Sequence, residues 1–265
     1  MSGTMVILKG LGSDLTGVDG TKLDPSRLTT LEDILKQAFG ASTKATVVRR
    51  FESKKNVVLQ LRIEGKRKAA QTNMVAKLFV TDRFEIELQL LNACHERGPD
   101  VPEVLAGKEG VILMSFISGE LLVEAINRTF DSGLIDTLVA WYYEYHTLHK
   151  LTKGDPKLKN FIYNDGVIFG IDFEESRPGD WMLDIGGIAA SLLDTTPVFD
   201  KRKRILAWHL LEQYLRLRNE TRNHDIDHTF LQTVSSALKE TAHWRKDNSL
   251  LLLAESVSRF GIPIE

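Results

Sequence analysis

The residues best suited to chemistry lie in a short segment that runs from Lys153 to Asn160. Asp155 and Asn160 stand five residues apart after a predicted long helix, and Asp172 follows at the end of a predicted hairpin. Phosphoryl transfer needs a carboxylate that orients the attacking hydroxyl group and accepts its proton, and it needs hard oxygen ligands for the Mg²⁺ that accompanies the phosphates. Asp155 fits the first role, and Asn160 with Asp172 fits the second.

Transfer from ATP also needs a cation on the phosphates, held in place by a carboxylate. Lys77 lies in the predicted strand 75–79, and Glu87 on the following predicted helix is a candidate partner, with Glu85 as its rival. A single lysine in a strand is usually a solvated charge. The prediction therefore depends on the joint order of Lys, Glu, Asp-x4-Asn and Asp-Phe along the chain.

This order resembles the protein-kinase-like fold, and it is most similar to the small-molecule branch of aminoglycoside phosphotransferases, choline and ethanolamine kinases and lipopolysaccharide-core sugar kinases. The resemblance covers most of residues 44–218, and its specific part is the block 155–184. Within that block, Ile171-Asp172-Phe173-Glu174 is similar to the Ile-Asp-Phe-Glu of choline kinases. The resemblance implies transfer of the γ-phosphoryl group of Mg-ATP to a small-molecule hydroxyl group, on a sugar, an aminoglycoside or an amino alcohol.

The resemblance also implies roles that spacing alone does not assign. Lys77, held by Glu87 rather than Glu85, would contact the α- and β-phosphates, and Asp184 would brace the catalytic loop from below. Lys157 would contact the transferred phosphate. The remaining implied contacts to the nucleotide come from a turn between two strands and from the hinge, and they are Ser53, Asn56, Ser115 and Phe116.

Three departures from the family pattern bear on the substrate. The turn 52–56 has no Gly-rich loop, and Lys153 stands where kinase relatives usually carry His. Only about ten residues separate Asp172 from Trp181, which leaves no room for a long activation segment and argues against an ordinary signalling protein kinase. Lys157 is shared with Ser/Thr protein kinases, however, so a protein substrate or partner stays open.

Two other functions remain as alternatives. One is a compact atypical Ser/Thr protein kinase or ATPase, similar to the small kinase partner in the tRNA threonylcarbamoylation complex. The other is a pseudokinase that serves as a scaffold. Nucleotide turnover separates them, because a scaffold would not consume ATP.

Composition excludes several classes of function. The 265 residues carry 34 Lys and Arg against 36 Asp and Glu, so no global basic field favours direct nucleic-acid binding. No apolar run approaches the roughly 18 residues that a membrane helix needs. The only cysteine, Cys94, excludes an intramolecular disulfide and a Cys-based zinc cluster. A cytoplasmic setting is the expectation.

Hydrophobic periodicity predicts an α+β fold with two lobes. Residues 1–26 are expected to be a loosely structured lead-in. Residues 27–117 would form the nucleotide-binding N-lobe, a five-stranded antiparallel sheet with one helix, and 118–265 a mainly helical C-lobe with a small catalytic hairpin. The predicted strands are 46–51, 57–63, 74–80, 103–106, 111–116, 161–163 and 167–173. The predicted helices are 28–39, 83–97, 134–148, 185–193, 201–218, 230–244 and 250–260.

Three clusters of polar or aromatic residues allow more than one interpretation. His224 and His228 suggest a metal site only if their segment is helical, and a polar cap region before a helix is the preferred interpretation. The aromatic residues of 141–145 suggest a stacking platform, although their helical spacing favours a packing face. Four acidic residues would line an acceptor wall for cationic molecules, namely Glu212, Glu220, Asp225 and Asp227.

Overall fold

The structure is a computed structural model that describes residues 15–17, 19–41, 43–64 and 71–265. The chain divides into two compact units. The first contains the described residues up to His95 together with Pro102–Ile117, and the second contains Glu96–Val101 and Ser118–Glu265. The predicted α+β class is confirmed, because a five-stranded antiparallel sheet precedes a mainly helical part.

Five antiparallel strands form the sheet of the first unit. They are β1 (Lys44–Phe51), β2 (Val57–Glu64), β3 (Gln71–Leu78), β4 (Val104–Lys108) and β5 (Val111–Ser115). Their order in the sheet is β1-β2-β3-β5-β4. Alternate residues of β2 are fully buried, among them Val57, Leu59 and Leu61, because successive side chains of a strand point to opposite faces. Residues 65–70, between β2 and β3, lie outside the described residues.

Helix α1 (Ser26–Phe39) packs on this sheet through Leu31, Ile34 and Leu35. Ser26 and Thr29 are of residue types that suit an N-cap, yet neither caps this helix. The side chain of Asp24 accepts the backbone N–H of Ser26 at 2.9 Å instead, so the first turn is capped from outside the helix. Helix α2 (Phe84–Arg97) follows β3.

The prediction of a loosely structured lead-in is wrong for its described part. Leu15 and Leu23 are buried in the same core as α1 and the sheet. The backbone N–H of Asp19 donates to the carbonyl of Lys54 at 3.1 Å, which ties this segment to the turn between β1 and β2. Burial of two leucines stabilises the segment by the hydrophobic effect, which composition alone does not indicate. Residues 1–14 of the predicted lead-in lie outside the described residues.

The second unit is mainly helical. Its helices are α3 (Leu122–Thr129), α4 (Ser132–His149), α5 (Met182–Leu193), α6 (Lys201–Arg218), α7 (His224–Arg245) and α8 (Asn248–Phe260), and its short strands are β6 (Glu120–Leu121), β7 (Phe161–Asn164) and β8 (Val167–Gly170). The predicted hairpin is β7–β8, joined by β6 as a third strand. The hairpin is shorter than predicted, because residues 171–173 leave the sheet. None of the described helices is both long and apolar enough to cross a membrane.

Helix α5 is buried on nearly every side, and Leu183 is its exposed residue. Such a helix belongs to the centre of a core. Its small residues permit close approach, since a Cβ on Gly187 would lie 2.2 Å from Pro156 and a Cβ on Gly186 would lie 2.6 Å from Thr233. Helix α5 therefore packs directly against the predicted catalytic loop and against α7.

Helix α7 begins six residues earlier than predicted, so the interpretation of 224–228 as a polar region before a helix is wrong. The side chain of Asn223 accepts the N–H of Ile226 and caps the first turn, where Asp225 and Asp227 favour the helix dipole. His224 and His228 share an exposed face with their rings 6.5 Å apart. Among the described residues, no third metal-ligating side chain joins them.

The aromatic residues of α4 form a packing face, as predicted. Trp141, Tyr142 and Tyr145 are buried, and the rings of Trp141 and Tyr145 stack at 5.4 Å. A Cβ on Gly170 would lie 2.2 Å from the Trp141 ring, so the β7–β8 hairpin packs tightly on this helix.

Candidate active site

Lys77 and Glu87 form a buried ion pair in the first unit. Lys77 lies on β3 and Glu87 on α2, and the ammonium nitrogen of Lys77 is 2.6 Å from Glu87 Oε2. The rival carboxylate, Glu85, is exposed. A charge-assisted contact of this length holds the ammonium group in one place, which a group that meets phosphates requires.

Removal of one partner from this pair should be strongly destabilising. We expect Lys77→Met to lower the free energy of unfolding by about 3 kcal/mol, because the Glu87 carboxylate would lose its buried counter-ion. The double variant Lys77→Met/Glu87→Leu should recover most of this loss. Urea denaturation measures both, and a double variant no more stable than Lys77→Met would contradict the expectation.

The turn 52–56 contains two residues predicted to meet the nucleotide. Ser53 is half-buried at the tip, whereas Asn56 is almost fully buried. The carboxamide oxygen of Asn56 accepts the N–H of Val80 at 3.1 Å, so this atom shapes the base of the turn. Contacts from either residue to a phosphate stay predictions.

The predicted hinge residues, Ser115 and Phe116, lie at the end of β5. The N–H of Ser115 donates to the carbonyl of Glu103 at 2.9 Å, and the Ser115 hydroxyl accepts the N–H of Glu103 at 3.0 Å. A contact from Ser115 to an adenine edge would therefore use its carbonyl rather than its N–H.

In the second unit, Asp155 and Asn160 face each other across a tight loop. The Asn160 amide nitrogen donates to the Asp155 carboxylate at 2.9 Å and to its backbone carbonyl at 3.0 Å. A single 3₁₀ turn, Leu158–Asn160, places the two residues in this relation. The loop thus holds the Asp155 carboxylate in a defined orientation.

Asn160 and Asp172 are brought close together by the backbone. The N–H of Ile171 donates to the carbonyl of Asn160 at 2.9 Å, next to the β7–β8 ladder. The amide nitrogen of Asn160 serves Asp155, so its amide oxygen is not needed for that pairing. One carboxylate oxygen and one carboxamide oxygen are donors that Mg²⁺ accepts, so the two residues fit that cation.

Asp184, on the first turn of α5, is fully buried beneath the loop. Its carboxylate accepts the N–H groups of Lys153 at 2.6 Å and Gly154 at 3.3 Å, and it contacts His146 Nε2 at 2.9 Å. Hydrogen bonds to a buried carboxylate are strong in a low-dielectric interior. Asp184 therefore fixes the backbone directly before Asp155.

His146 and Tyr214 complete this network, and neither was predicted. His146 Nδ1 lies 2.7 Å from the hydroxyl of Tyr214, whose pKa is raised by burial. An ionised carboxylate can only accept hydrogen bonds, so His146 Nε2 is the donor to Asp184. In a neutral imidazole the other ring nitrogen is an acceptor, so the Tyr214 hydroxyl donates to His146 Nδ1. The helical spacing of His146 from Leu138 and Tyr142 places it on the buried face, a signal that could have found it.

Gly154 allows the loop to approach the chain after the hairpin. Its φ is +88°, and a Cβ would lie 1.9 Å from the carbonyl oxygen of Glu175. Gly166, in the β7–β8 turn, has a similar φ of +90° with no atom within 4 Å of its Cβ position. The two glycines thus share the backbone conformation and differ in surrounding space.

We expect Gly154→Ala to be clearly more destabilising than Gly166→Ala. Both variants bear the cost of a left-handed alanine, about 1–2 kcal/mol, and only Gly154→Ala also displaces the backbone at Glu175. Thermal unfolding of the two proteins measures the difference. Equal losses of stability in the two variants would show that the close contact between Gly154 and the backbone of Glu175 does not contribute to the free energy of unfolding.

Lys157 contacts helix α7. Its ammonium nitrogen donates to the hydroxyl of Thr241 at 3.0 Å. Burial raises the pKa of the Asp194 carboxyl, and the charges of Arg245 and Lys157 act in the opposite direction. Lys157 is thus held beside α7, and its contact with a transferred phosphate stays a prediction.

Comparison with known proteins identifies relatives by structure alone. No family model matches the sequence, and the search of curated proteins finds no significant match. The solved structures include the ternary complex of APH(2'')-IIa with streptomycin and ATP, with a TM-score of 0.55 and 14% identity over 88% of this chain and 98% of that one. The complex of amicoumacin kinase hAmiN with AMP-PNP and Ca²⁺ has a TM-score of 0.59 and 13% identity, and the match covers 82% of this chain and 89% of that one.

An ethanolamine kinase of Plasmodium vivax is similar over 89% of this chain and 84% of its own, with a TM-score of 0.56 and 12% identity. At identities this low the likeness establishes the fold and nothing further. The chain has the protein-kinase-like fold that aminoglycoside phosphotransferases and ethanolamine kinases share.

Proposed function

We propose that the chain is an ATP-dependent phosphotransferase that moves the γ-phosphoryl group of Mg-ATP to a hydroxyl group of a small molecule. The observation that carries the proposal is the pairing of Asp155 with Asn160 on a loop fixed from below by Asp184. A loop that only turned the chain would need no buried carboxylate beneath it. Catalysis of this type is mostly positioning and electrostatics, and a fixed carboxylate supplies the positioning.

Each residue then has one task. Asp155 orients the acceptor hydroxyl and takes its proton while the new O–P bond forms and the bond to the ADP oxygen breaks. Asn160 and Asp172 hold Mg²⁺, which neutralises charge on the phosphates when bound. Lys77, kept in place by Glu87, contacts the α- and β-phosphates.

The remaining predicted contacts belong to the same proposal. Ser53, Asn56 and the hinge residues Ser115 and Phe116 would bind the nucleotide, and Lys157 would reach the transferred phosphate after release from Thr241. A cytoplasmic location is also part of this proposal.

A small molecule is the favoured acceptor for two reasons. The structural neighbours named above are kinases of small molecules by their descriptions, among them complexes with streptomycin and amicoumacin. In addition, only nine residues, 173–181, lie between Asp172 and the start of α5, so a long activation segment is missing from this part of the chain. A protein acceptor is the second candidate, supported by the presence of Lys157 in the loop.

The acidic wall predicted for the acceptor is largely neutralised. Arg222 contacts both Asp227 and Glu212, at 2.6 and 2.7 Å, and Arg218 contacts Glu220 at 2.8 Å. A groove between the first turns of α5 and α7 offers a better wall for an acceptor.

This groove is a cavity of about 300 Å³ in the second unit, between the first turns of α5 and α7. Asp180, Asp225 and Trp181 are among its lining residues. It lies on the same helix that packs against Pro156 of the catalytic loop. A molecule with a polar or cationic group and an apolar face suits two carboxylates and an indole ring.

ADP release in the presence of Mg²⁺ tests the proposal. Sugars, amino alcohols and aminoglycosides are added singly. One of these classes should raise the rate of ADP release well above the rate measured without an added acceptor. Phosphorylation of a purified protein partner with no stimulation by any metabolite would favour the protein kinase. No Mg²⁺-dependent ATP consumption in either assay would favour the scaffold.

A further inference from the structure

Lys153 is a lysine buried at the centre of the catalytic loop. Its side chain is fully buried, with the ammonium nitrogen 5.4 Å from the ring centre of Phe161 and 5.1 Å from that of Phe173. Burial of an ammonium group is costly unless it is hydrogen-bonded and its charge is compensated. Two aromatic faces offset part of that cost, so the site is built to retain a cation.

The hydrogen bonds of Lys153 join two segments of the candidate site. Its ammonium nitrogen donates to the backbone carbonyl of Asp172 at 2.8 Å. Its own carbonyl accepts the hydroxyl of Ser176 at 3.0 Å, while its N–H is held by Asp184. Lys153 thus connects the loop before Asp155 with the chain around Asp172.

Asp172 needs such support because of its backbone conformation. Its φ is +65°, in the left-handed region that a residue with a Cβ enters only at a cost in free energy. The N–H of Ile171 donates to the carbonyl of Asn160 and so anchors the peptide between Gly170 and Ile171, while Lys153 anchors the peptide that follows Asp172. These anchors on either side of Asp172 restrict the direction of its side chain.

We propose that Lys153 is a positioning residue that holds the Asp172 carboxylate in place for the metal by fixing its backbone carbonyl. This inference rests on the proposed function, since it assumes that Asp172 binds Mg²⁺. It assigns a task to the residue at which this chain departs from the histidine of kinase relatives. Outer partners of metal ligands commonly change metal affinity by about 10–100-fold when they are replaced.

Binding of Mn²⁺ to the protein–ADP complex tests the proposal without an activity assay. Free Mn²⁺ is followed by electron paramagnetic resonance during titration. Lys153→Met should raise the dissociation constant for Mn²⁺ by at least about tenfold. Its affinity for ADP without metal should stay within about twofold of the original protein, since the metal ligands are what lose their support.

Lys203 provides a matched control. It is also fully buried, and its ammonium nitrogen donates to the backbone carbonyl of Thr195 at 2.6 Å, at the end of α5 remote in sequence from Asp172. Lys203→Met should lose stability as a buried lysine would, yet retain the original affinity for Mn²⁺. Equal weakening of Mn²⁺ binding in both variants would mean that only general stability is involved and would overturn the proposal.

Further variants keep the proposal falsifiable if Lys153→Met does not fold. Lys153→Arg keeps a charged donor and should bind Mn²⁺ nearly as the original protein does, whereas the neutral Lys153→Gln should bind it several-fold more weakly. Original affinity in Lys153→Gln, or in a folded Lys153→Met, overturns the positioning role. If the original protein itself binds neither Mn²⁺ nor ADP, the proposed function fails, and this inference fails with it.

Discussion

Asp155→Asn is expected to reduce phosphoryl transfer by about 10²–10⁴-fold while the protein stays folded. An asparagine side chain has nearly the same shape, and its oxygen can still accept the amide N–H of Asn160 that now reaches the carboxylate at 2.9 Å. It cannot accept the proton of an attacking hydroxyl group. The loss should therefore appear in kcat, with the affinity for ADP little changed.

The experiment compares ADP release with the acceptor that stimulates the original protein. Asp165→Asn is the matched control, because Asp165 is an exposed residue of the β7–β8 turn with φ +46°, a conformation that asparagine tolerates. This control should keep its full rate. A rate for Asp155→Asn within about tenfold of the original would exclude Asp155 as the proton acceptor, since such groups contribute at least about a hundredfold.

Sequence patterns predict the bounds of a helix or strand well where the residues that begin and end it are its neighbours in sequence. The predicted helix 201–218 has the bounds of α6, since Asp200 caps its first turn and Asn219 ends it in the left-handed conformation. Strand β6 has two residues and pairs with β7 more than forty positions later, so no local pattern indicates it. The early start of α7 has another reason, because its mostly polar first turn carries no apolar periodicity and is marked only by the Asn223 cap.

The candidate site divides in the same way. The spacing of Asp155 and Asn160 indicates their pairing, because five residues can close a single loop. The Asp184 carboxylate accepts hydrogen bonds from His146 and Lys153, which are 38 and 31 positions away. Such contacts form only when the first turn of α5 comes against His146 and the loop that follows α4, and periodicity predicts only that the residues face a core. Resemblance to a family pointed to Asp184, and nothing in the sequence pointed to the task of Lys153.

Asp184→Ala should lower the free energy of unfolding by about 5 kcal/mol or more, enough to unfold a protein of ordinary stability. Three donors would lose their acceptor at once: His146 Nε2 and the N–H groups of Lys153 and Gly154. Hydrogen bonds to a charged group contribute about 1.5–3 kcal/mol each, and Asp184 is fully buried. Urea denaturation, or thermal unfolding where the variant is too unstable, measures the loss.

Asp247→Ala is the control that separates burial from hydrogen bonding. Asp247 also accepts two backbone N–H groups, those of Ser249 and Leu250, but it is an exposed cap of α8. Water can solvate those N–H groups after substitution, so the expected loss is about 1 kcal/mol. Similar losses for the two variants would mean that the carboxylate beneath the loop acts as an ordinary cap. A much larger loss for Asp184→Ala would identify its carboxylate as the buried support of the loop that carries Asp155.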